Sequence, residues 1–185
     1  MTPEPIWVDL GLPSGLVWRK MNVGAAKPSD VGLYFSWGNT DGHADGGGYD
    51  FSAAVYGLTE GAELITNIPI SQDAARVNIG SPWRMPSIED FAELIANCTV
   101  TSTVIDEVSG TLFTSNINGK SIFFPATGVG DGLNIINRGI GYYWSSSHVD
   151  ETQAHRMSAS GTAINIEQNG LRRDGMPIRP VASLT

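Results

Sequence analysis

What constrains this chain most is how often it has to turn. Its 22 glycines and 10 prolines are spread over 185 residues, and between them apolar sequence survives only in short runs. Trp7-Val8-Asp9-Leu10, Leu16-Val17-Trp18, Thr111-Leu112-Phe113, Ser121-Ile122-Phe123-Phe124, Tyr142-Tyr143-Trp144, Ala163-Ile164-Asn165-Ile166 and Ile178-Arg179-Pro180-Val181 are of strand length, not helix length. Runs of this kind bounded by turn residues read as β-strands. Pro13-Ser14-Gly15 makes a hairpin of the first two, and Asn118-Gly119 reads as a two-residue hairpin turn leading into 121–124. Residues 39–50, rich in Gly and Asp, cannot build a core and read as a loop, while 51–70 fit either a helical turn or a strand.

Helical signals gather between 71 and 98. Asp73-Ala74-Ala75-Arg76-Val77 is a short helix stopped near Gly80-Ser81-Pro82. After Pro86, Ser87 is an N-cap with Asp90 three residues on, a variant of the capping box. Glu89 and Asp90 place negative charge where the helix dipole favours it. Ile88, Phe91, Leu94 and Ile95 then form one apolar stripe. With no internal repeat and no linker, residues 1–185 read as a single α+β domain with its helices early and a β-rich second half.

Charge excludes several function classes. The formal net charge is -8 and the densest basic cluster is Arg172-Arg173, which argues against a nucleic-acid partner and an anionic membrane surface. No stretch approaches the roughly 20 apolar residues of a membrane helix, so direct membrane insertion is not expected. Met1-Thr2-Pro3-Glu4-Pro5 lacks the pattern of a secretion signal, although a chain whose signal had been removed would read the same. The lone Cys98 excludes an intrachain disulfide and, next to an apolar helix face, reads as a small buried hydrophobe.

No catalytic or metal constellation stands out, so no enzyme, metal or cofactor is expected. His43, His148 and His155 lack metal-ligand spacing. Asp41, Asp45 and Asp50 alternate with glycines but lack the ligand spacing and terminal Glu of an EF-hand loop. Ser145-Ser146-Ser147 has no nucleophile-elbow glycine and reads as a strand edge. Trp7, Trp18, Trp37, Trp83 and Trp144 have the ring chemistry of a glycan platform, but their apolar settings favour core packing. Arg84 and Arg179, set in apolar motifs, read as structural.

A set of ordered motifs runs from residue 8 to 181. Val8-Asp9-Leu10-Gly11-Leu12-Pro13-Ser14-Gly15-Leu16, Trp18, Asn22-Val23-Gly24-Ala25, Tyr34-Phe35-Ser36-Trp37-Gly38, Trp83-Arg84-Met85-Pro86-Ser87, Ser121-Ile122-Phe123-Phe124-Pro125-Ala126, Gly141-Tyr142-Tyr143-Trp144-Ser145-Ser146-Ser147 and Ile178-Arg179-Pro180-Val181 together resemble the Fibrobacter succinogenes major paralogous domain. That family is common in Bacteroidetes surface proteins and in phages of those bacteria. It is similar to the C-type-lectin-like superfamily, which includes formylglycine-generating enzymes and the variable proteins of diversity-generating retroelements. The resemblance implies a C-type-lectin-like fold: a small twisted antiparallel sheet, two flanking helices and long loops. It also implies a setting on a phage virion or bacterial cell surface. The cysteine pair of the formylglycine enzymes, the His cluster of the sulfoxide synthases and the Glu-Pro-Asn, Gln-Pro-Asp and Trp-Asn-Asp calcium motifs of lectins do not occur here.

The expected function is therefore non-catalytic recognition. Over 129–175, short apolar motifs alternate with polar segments, the pattern of a rigid frame carrying adaptable loops. Asn134, Asn137, His148, Asp150, Glu151, Gln153, His155 and Arg156 form one candidate ligand-binding group, and Asn165, Glu167, Asn169, Arg172 and Arg173 a second. These segments are expected to converge on one surface away from the helix at 88–97, to be exposed, and to meet a protein or glycan on a cell surface. A homo-oligomer is compatible with this reading. Like the variable proteins of diversity-generating retroelements, the chain concentrates such positions toward its C-terminal end. The alternative is a structural or assembly domain of a phage tail or surface protein, with a formylglycine-type enzyme ranked last.

Overall fold

The computed structural model describes residues 4–54, 56 and 67–184. The strands among them are β1 (Trp7–Asp9), β2 (Val17–Arg19), β3 (Cys98–Ile105), β4 (Val108–Ser115), β5 (Ser121–Pro125), β6 (Val129–Asp131), β7 (Asn134–Ile136), β8 (Gly141–His148), β9 (Gln153–Ser160), β10 (Ala163–Leu171) and β11 (Val181–Ala182). The α-helices are α1 (Ala74–Ile79) and α2 (Ile88–Asn97). The protein is thus of mixed α+β class, and its strand pairs are antiparallel. Most of the ambiguous 51–70 segment lies outside the described residues; Phe51–Ala53 forms one 3-10 turn capped by Asp50. No helix among the described residues is long and apolar enough to cross a membrane.

Instead of one small sheet, the described strands form three three-stranded sheets, β1-β2-β11, β3-β4-β5 and β10-β9-β8, and a β6-β7 ribbon. Turn density explains the division. β11 offers only two residues to β2, and Pro180 just before it has no N–H to extend the ladder. The free edge of β8 is met by loops: Trp144 N donates to Pro177 O at 3.2 Å and Ser146 N to Pro86 O at 2.8 Å.

The first hairpin forms as expected, with Val8 opposite Trp18. The Asn118-Gly119 hairpin is corrected. Ser115 N bonds Lys120 O, so the β4–β5 loop has four residues, with only Gly119 left-handed at φ 76°. Ser115 Oγ widens this loop by accepting from the amides of Ile117 and Asn118. The two-residue turn lies instead between β3 and β4, where Ile105 pairs with Val108 and Asp106 and Glu107 take φ of 50° and 66°. Two left-handed residues make the type I′ turn that suits strand twist. Asp106 is anchored there by Ser29 Oγ at 2.7 Å and Lys27 Nζ at 3.1 Å.

The second helix is capped as its sequence predicts, while in the first Asp73, read from the sequence as a helical residue, is the N-cap. Asp73 accepts from Arg76 N at 3.0 Å and Gly80 ends α1. In α2, Asp90 N donates to Ser87 Oγ at 3.2 Å while Ser87 N donates to Asp90 Oδ2 at 2.7 Å. Arg84 also reaches Asp90 at 2.7 Å, an ion pair that locks the box. α2 passes directly into β3 at Cys98, which is buried; burial pushes its thiol up to about 11, away from the reactive thiolate.

β8 divides the core. Side chains alternate across a strand, so Tyr143 joins Trp18, Phe91, Leu94, Phe113, Phe124 and Met157 on the α2 side. Tyr142 and Trp144 point the other way, to a second cluster with Phe35, Trp37, Ala75, Met85 and Met176. Trp18, Trp37 and Trp144 are fully buried, Trp83 is buried and Trp7 is half-buried. Arg179 is fully buried against the first cluster; it donates to Asn22 Oδ1 at 2.7 Å and Phe123 O at 2.8 Å and lies 4.3 Å from the centre of the Phe124 ring. Desolvation lowers its pKa to about 10, and these contacts make it structural.

Candidate recognition face

The β10-β9-β8 sheet carries His148, Gln153, His155, Arg156, Asn165, Glu167 and Asn169 among the candidate positions, and its register decides which face the paired ones take. Met157 and Ile164 pack with Phe91 and Leu94 beneath α2. Two rows lie on the opposite face, Tyr142, Ser158 and Asn165, and Trp144, Arg156 and Glu167; each row runs from buried residues, Tyr142, Ser158 and Trp144, out to Asn165, Arg156 and Glu167, which solvent reaches. Glu167 binds Arg156 Nε at 2.7 Å through one oxygen and accepts from Ser158 Oγ at 2.9 Å through the other. The Arg156 guanidinium lies 4.8 Å from the centre of the Tyr142 ring. An ion pair placed directly across an antiparallel ladder and braced by an aromatic ring is a preorganised polar surface.

Buried rings hold this face from below. Trp144 Nε1 donates to Phe35 O at 2.8 Å and Trp37 Nε1 to Ser145 O at 2.7 Å. Register shifts between Trp144 and His148 and between Glu167 and Gly170 bulge the strand ends. Gly170 is required at its bulge, because a Cβ there would stand 2.5 Å from the Trp144 ring. Ser145, Ser146 and Ser147 form the buried strand edge; Ser145 Oγ donates to His155 O, and Ser146 and Ser147 both reach Asn67 Oδ1 at 3.1 Å.

The candidate residues separate into three groups. Asn134, Asn165, Glu151, Asn169 and Arg173 are exposed, and Arg156 and Glu167 are half-buried in the network above. Arg173 lines a cavity of about 320 Å³ with Tyr56, Thr152 and Leu171. A second group shapes the loops. Asn137 takes φ 53° and its carbonyl accepts from Ile140 N. Asp150 accepts from the amides of Thr152 and Gln153, each at 2.8 Å. His148 lies 6.2 Å from Trp37, ring to ring. Arg172, expected to be exposed, is 1% exposed. Its guanidinium stacks 4.8 Å from Trp37 and donates to the carbonyls of Asp150 and Gln153. Long-range stacking, invisible in a polar local sequence, turned this residue inward.

The third group faces the wrong way for a single surface. His155 and Gln153 alternate with Ala154 and Arg156, so they share the side of Met157, and the charge of Glu89 on α2 acts on the His155 ring. Burial nevertheless lowers the pKa of His155. The expectation that 147–175 turns wholly away from the helix is corrected on this point. Convergence does hold at β6, where Gly130 and Gly175 exchange backbone bonds of 2.8 and 2.9 Å. There Asp131 comes near Asp174, whose carboxyl is pushed up to about 6, mainly by burial and then by Asp131.

Tyr142, Ser158 and Tyr56 belong to this region without having been singled out from the sequence as site residues. The first two were legible as strand residues, but only register shows that they share a face with Glu167. Arg138 binds Asp45 at 2.5 and 3.0 Å, which ties the β7–β8 connection to the 39–50 loop and engages one of that loop's carboxylates. Among the described residues no three His, Cys, Asp or Glu side chains gather as a metal site requires. No protein-family model, curated protein or solved structure matches the chain.

Proposed function

We propose that this chain is a non-catalytic ligand-recognition domain of C-type-lectin-like fold, carried on a phage tail or bacterial surface, that binds a protein or glycan of a cell surface. The binding face is formed by Arg156, Asn165 and Glu167 of β9 and β10, beside the buried Tyr142 and Trp144 of β8, together with the loops at 131–134, 149–152 and 167–174. One observation carries the reading: exposed, chemically varied side chains stand on a strand and on loops whose surrounding backbone is pinned by Trp37, Trp144 and Arg172. Such a surface tolerates substitution without loss of fold, as recognition of changing targets requires. The same tolerance, with the motif resemblance, supports a diversity-generating retroelement variable protein as the specific type. The test is to compare wild type with Glu151→Ala, Asn165→Ala and Arg173→Ala on arrays of glycans and cell-surface proteins, with melting measured alongside. Loss of binding at unchanged melting supports the reading; unchanged binding in all three variants refutes it.

An assembly role is the second reading, and β3 is what favours it. It is an edge strand of β-branched composition, with Val104 61% and Ile105 36% exposed, and such an edge can pair with another chain. Concentration-dependent self-association abolished by Thr103→Pro, with intact folding, would favour this reading over recognition.

A further inference from the structure

Away from that face, residues 19–33 and α1 border an open cavity of about 520 Å³ lined by Arg19, Val23, Gly24, Leu33, Asn78 and Ile79, among others. It is largely preformed. Val23 N donates to Ile178 O and Leu33 N to Val23 O, each at 3.0 Å, and Asn22 Nδ2 donates to Val31 O at 2.9 Å. Gly24 lets Leu33 close the wall, since a Cβ there would meet Leu33 at 2.5 Å.

Arg19 is the unusual group in this wall. Among the described residues its guanidinium has no hydrogen-bond or ion-pair partner; its Nε is buried and unpaired, and its closest support is the Trp83 ring at 5.7 Å. Burial lowers its pKa, the direction expected of a cation without a counter-charge. The neighbouring lysines are engaged elsewhere, Lys20 with Glu4 and Lys27 with Asp106. Asn78 donates both amide hydrogens, to Thr40 O at 2.9 Å and Ala74 O at 2.8 Å, which leaves Oδ1 as its unused acceptor.

We infer that this cavity binds the C-terminal residue of an aliphatic peptide: its carboxylate on Arg19, its side chain among Val23, Leu33 and Ile79, and its amide N–H toward Asn78 Oδ1. A lone cation matches one negative charge. A phosphate dianion fits poorly, because Asp30 holds its carboxylate beside the same wall, accepting from Ala26 N and Lys27 N at 3.2 Å. The volume suits a small ligand, and Arg is well shaped for bidentate carboxylate binding.

The test is calorimetric titration of the full chain with N-acetyl-leucyl-leucine, its C-terminal amide, and hexanoate. The free acid is expected to bind, with the amide and hexanoate each at least tenfold weaker. Arg19→Gln should weaken the acid at least tenfold, and Arg19→Met should melt at or above the wild-type temperature, because it removes an unpaired half-buried charge. No binding of the acid, or equal binding of acid and amide, overturns the inference. Hexanoate binding as tightly as the acid overturns the peptide assignment in favour of a simple carboxylate site. Should an Arg19 variant fail to fold, Arg19 is structural, and the acid–amide comparison on wild type still decides the inference. None of these outcomes bears on the β8-β9-β10 face.

Discussion

Arg172 and Asp174 lie two residues apart, and burial acts on them in opposite ways. Arg172 is turned inward under Trp37, where it serves two backbone carbonyls of the loop at 150–153. Arg172→Ala is therefore expected to cost about 2–3 kcal/mol, since charge-assisted bonds and apolar stacking are lost together, and a urea titration measures it. Asp174 is half-buried near Asp131, and its ion-pair contact among the described residues is with Arg173 at 3.9 Å. Its carboxyl, pushed up to about 6, lies above its unfolded value of about 4. The protonated form therefore favours folding. That contribution is fully present below about pH 4 and is lost as pH rises through about 6. Asp174→Asn should raise the melting temperature at pH 7 and flatten the pH dependence between about 4 and 6. An unchanged profile would show that the buried charge is solvated. The pKa of Asp73 is also raised, mainly by burial, while burial lowers those of His43 and His155, so the slope left in the variant is the balance of contributions of opposite sign.

At the scale of elements, the β3–β4 turn carries strain that sequence did not reveal. Glu107 at φ 66° bears a penalty of about 1–2 kcal/mol as a non-glycine residue in left-handed backbone. Glycine there costs about 0.5–1 kcal/mol in unfolded-state entropy. Glu107→Gly should therefore stabilise the protein by roughly 0.5 kcal/mol or slightly more, whereas Asp106→Gly should not, because it removes the anchor to Ser29 and Lys27. Ser87→Ala should cost about 1 kcal/mol by opening the capping box of α2. Local rules made α1, α2, the β1–β2 hairpin and most long strands legible, because caps, turns and period depend on near neighbours. They failed at Asn118-Gly119, where Ser115 Oγ reorganises the loop, and at Asp106-Glu107, where contacts from 27 and 29 stabilise an unfavourable turn. The candidate face was half legible for the same reason. Polar composition found Glu167, Asn165 and Arg173, but neither the side of the sheet taken by His155 nor the stacking partner of Arg172 is written in local sequence.

Across the whole molecule, a buried frame carries exposed polar positions. Trp144 is fully buried in a tight niche under Gly170, so Trp144→Ala should cost about 3–5 kcal/mol. Glu151, Asn165 and Arg173 are exposed, and alanine at each should change stability by roughly 0.5 kcal/mol or less. The most direct measurement of the central claim is array binding by wild type and by the combined Glu151→Ala, Asn165→Ala and Arg173→Ala variant, read with their melting temperatures. Wild type is expected to select a cell-surface glycan or protein, and the variant to melt within a few degrees of it but to lose the selected target by about tenfold or more. Retained binding in that variant, or a target lost only when residues under α2 are changed, would contradict the claim.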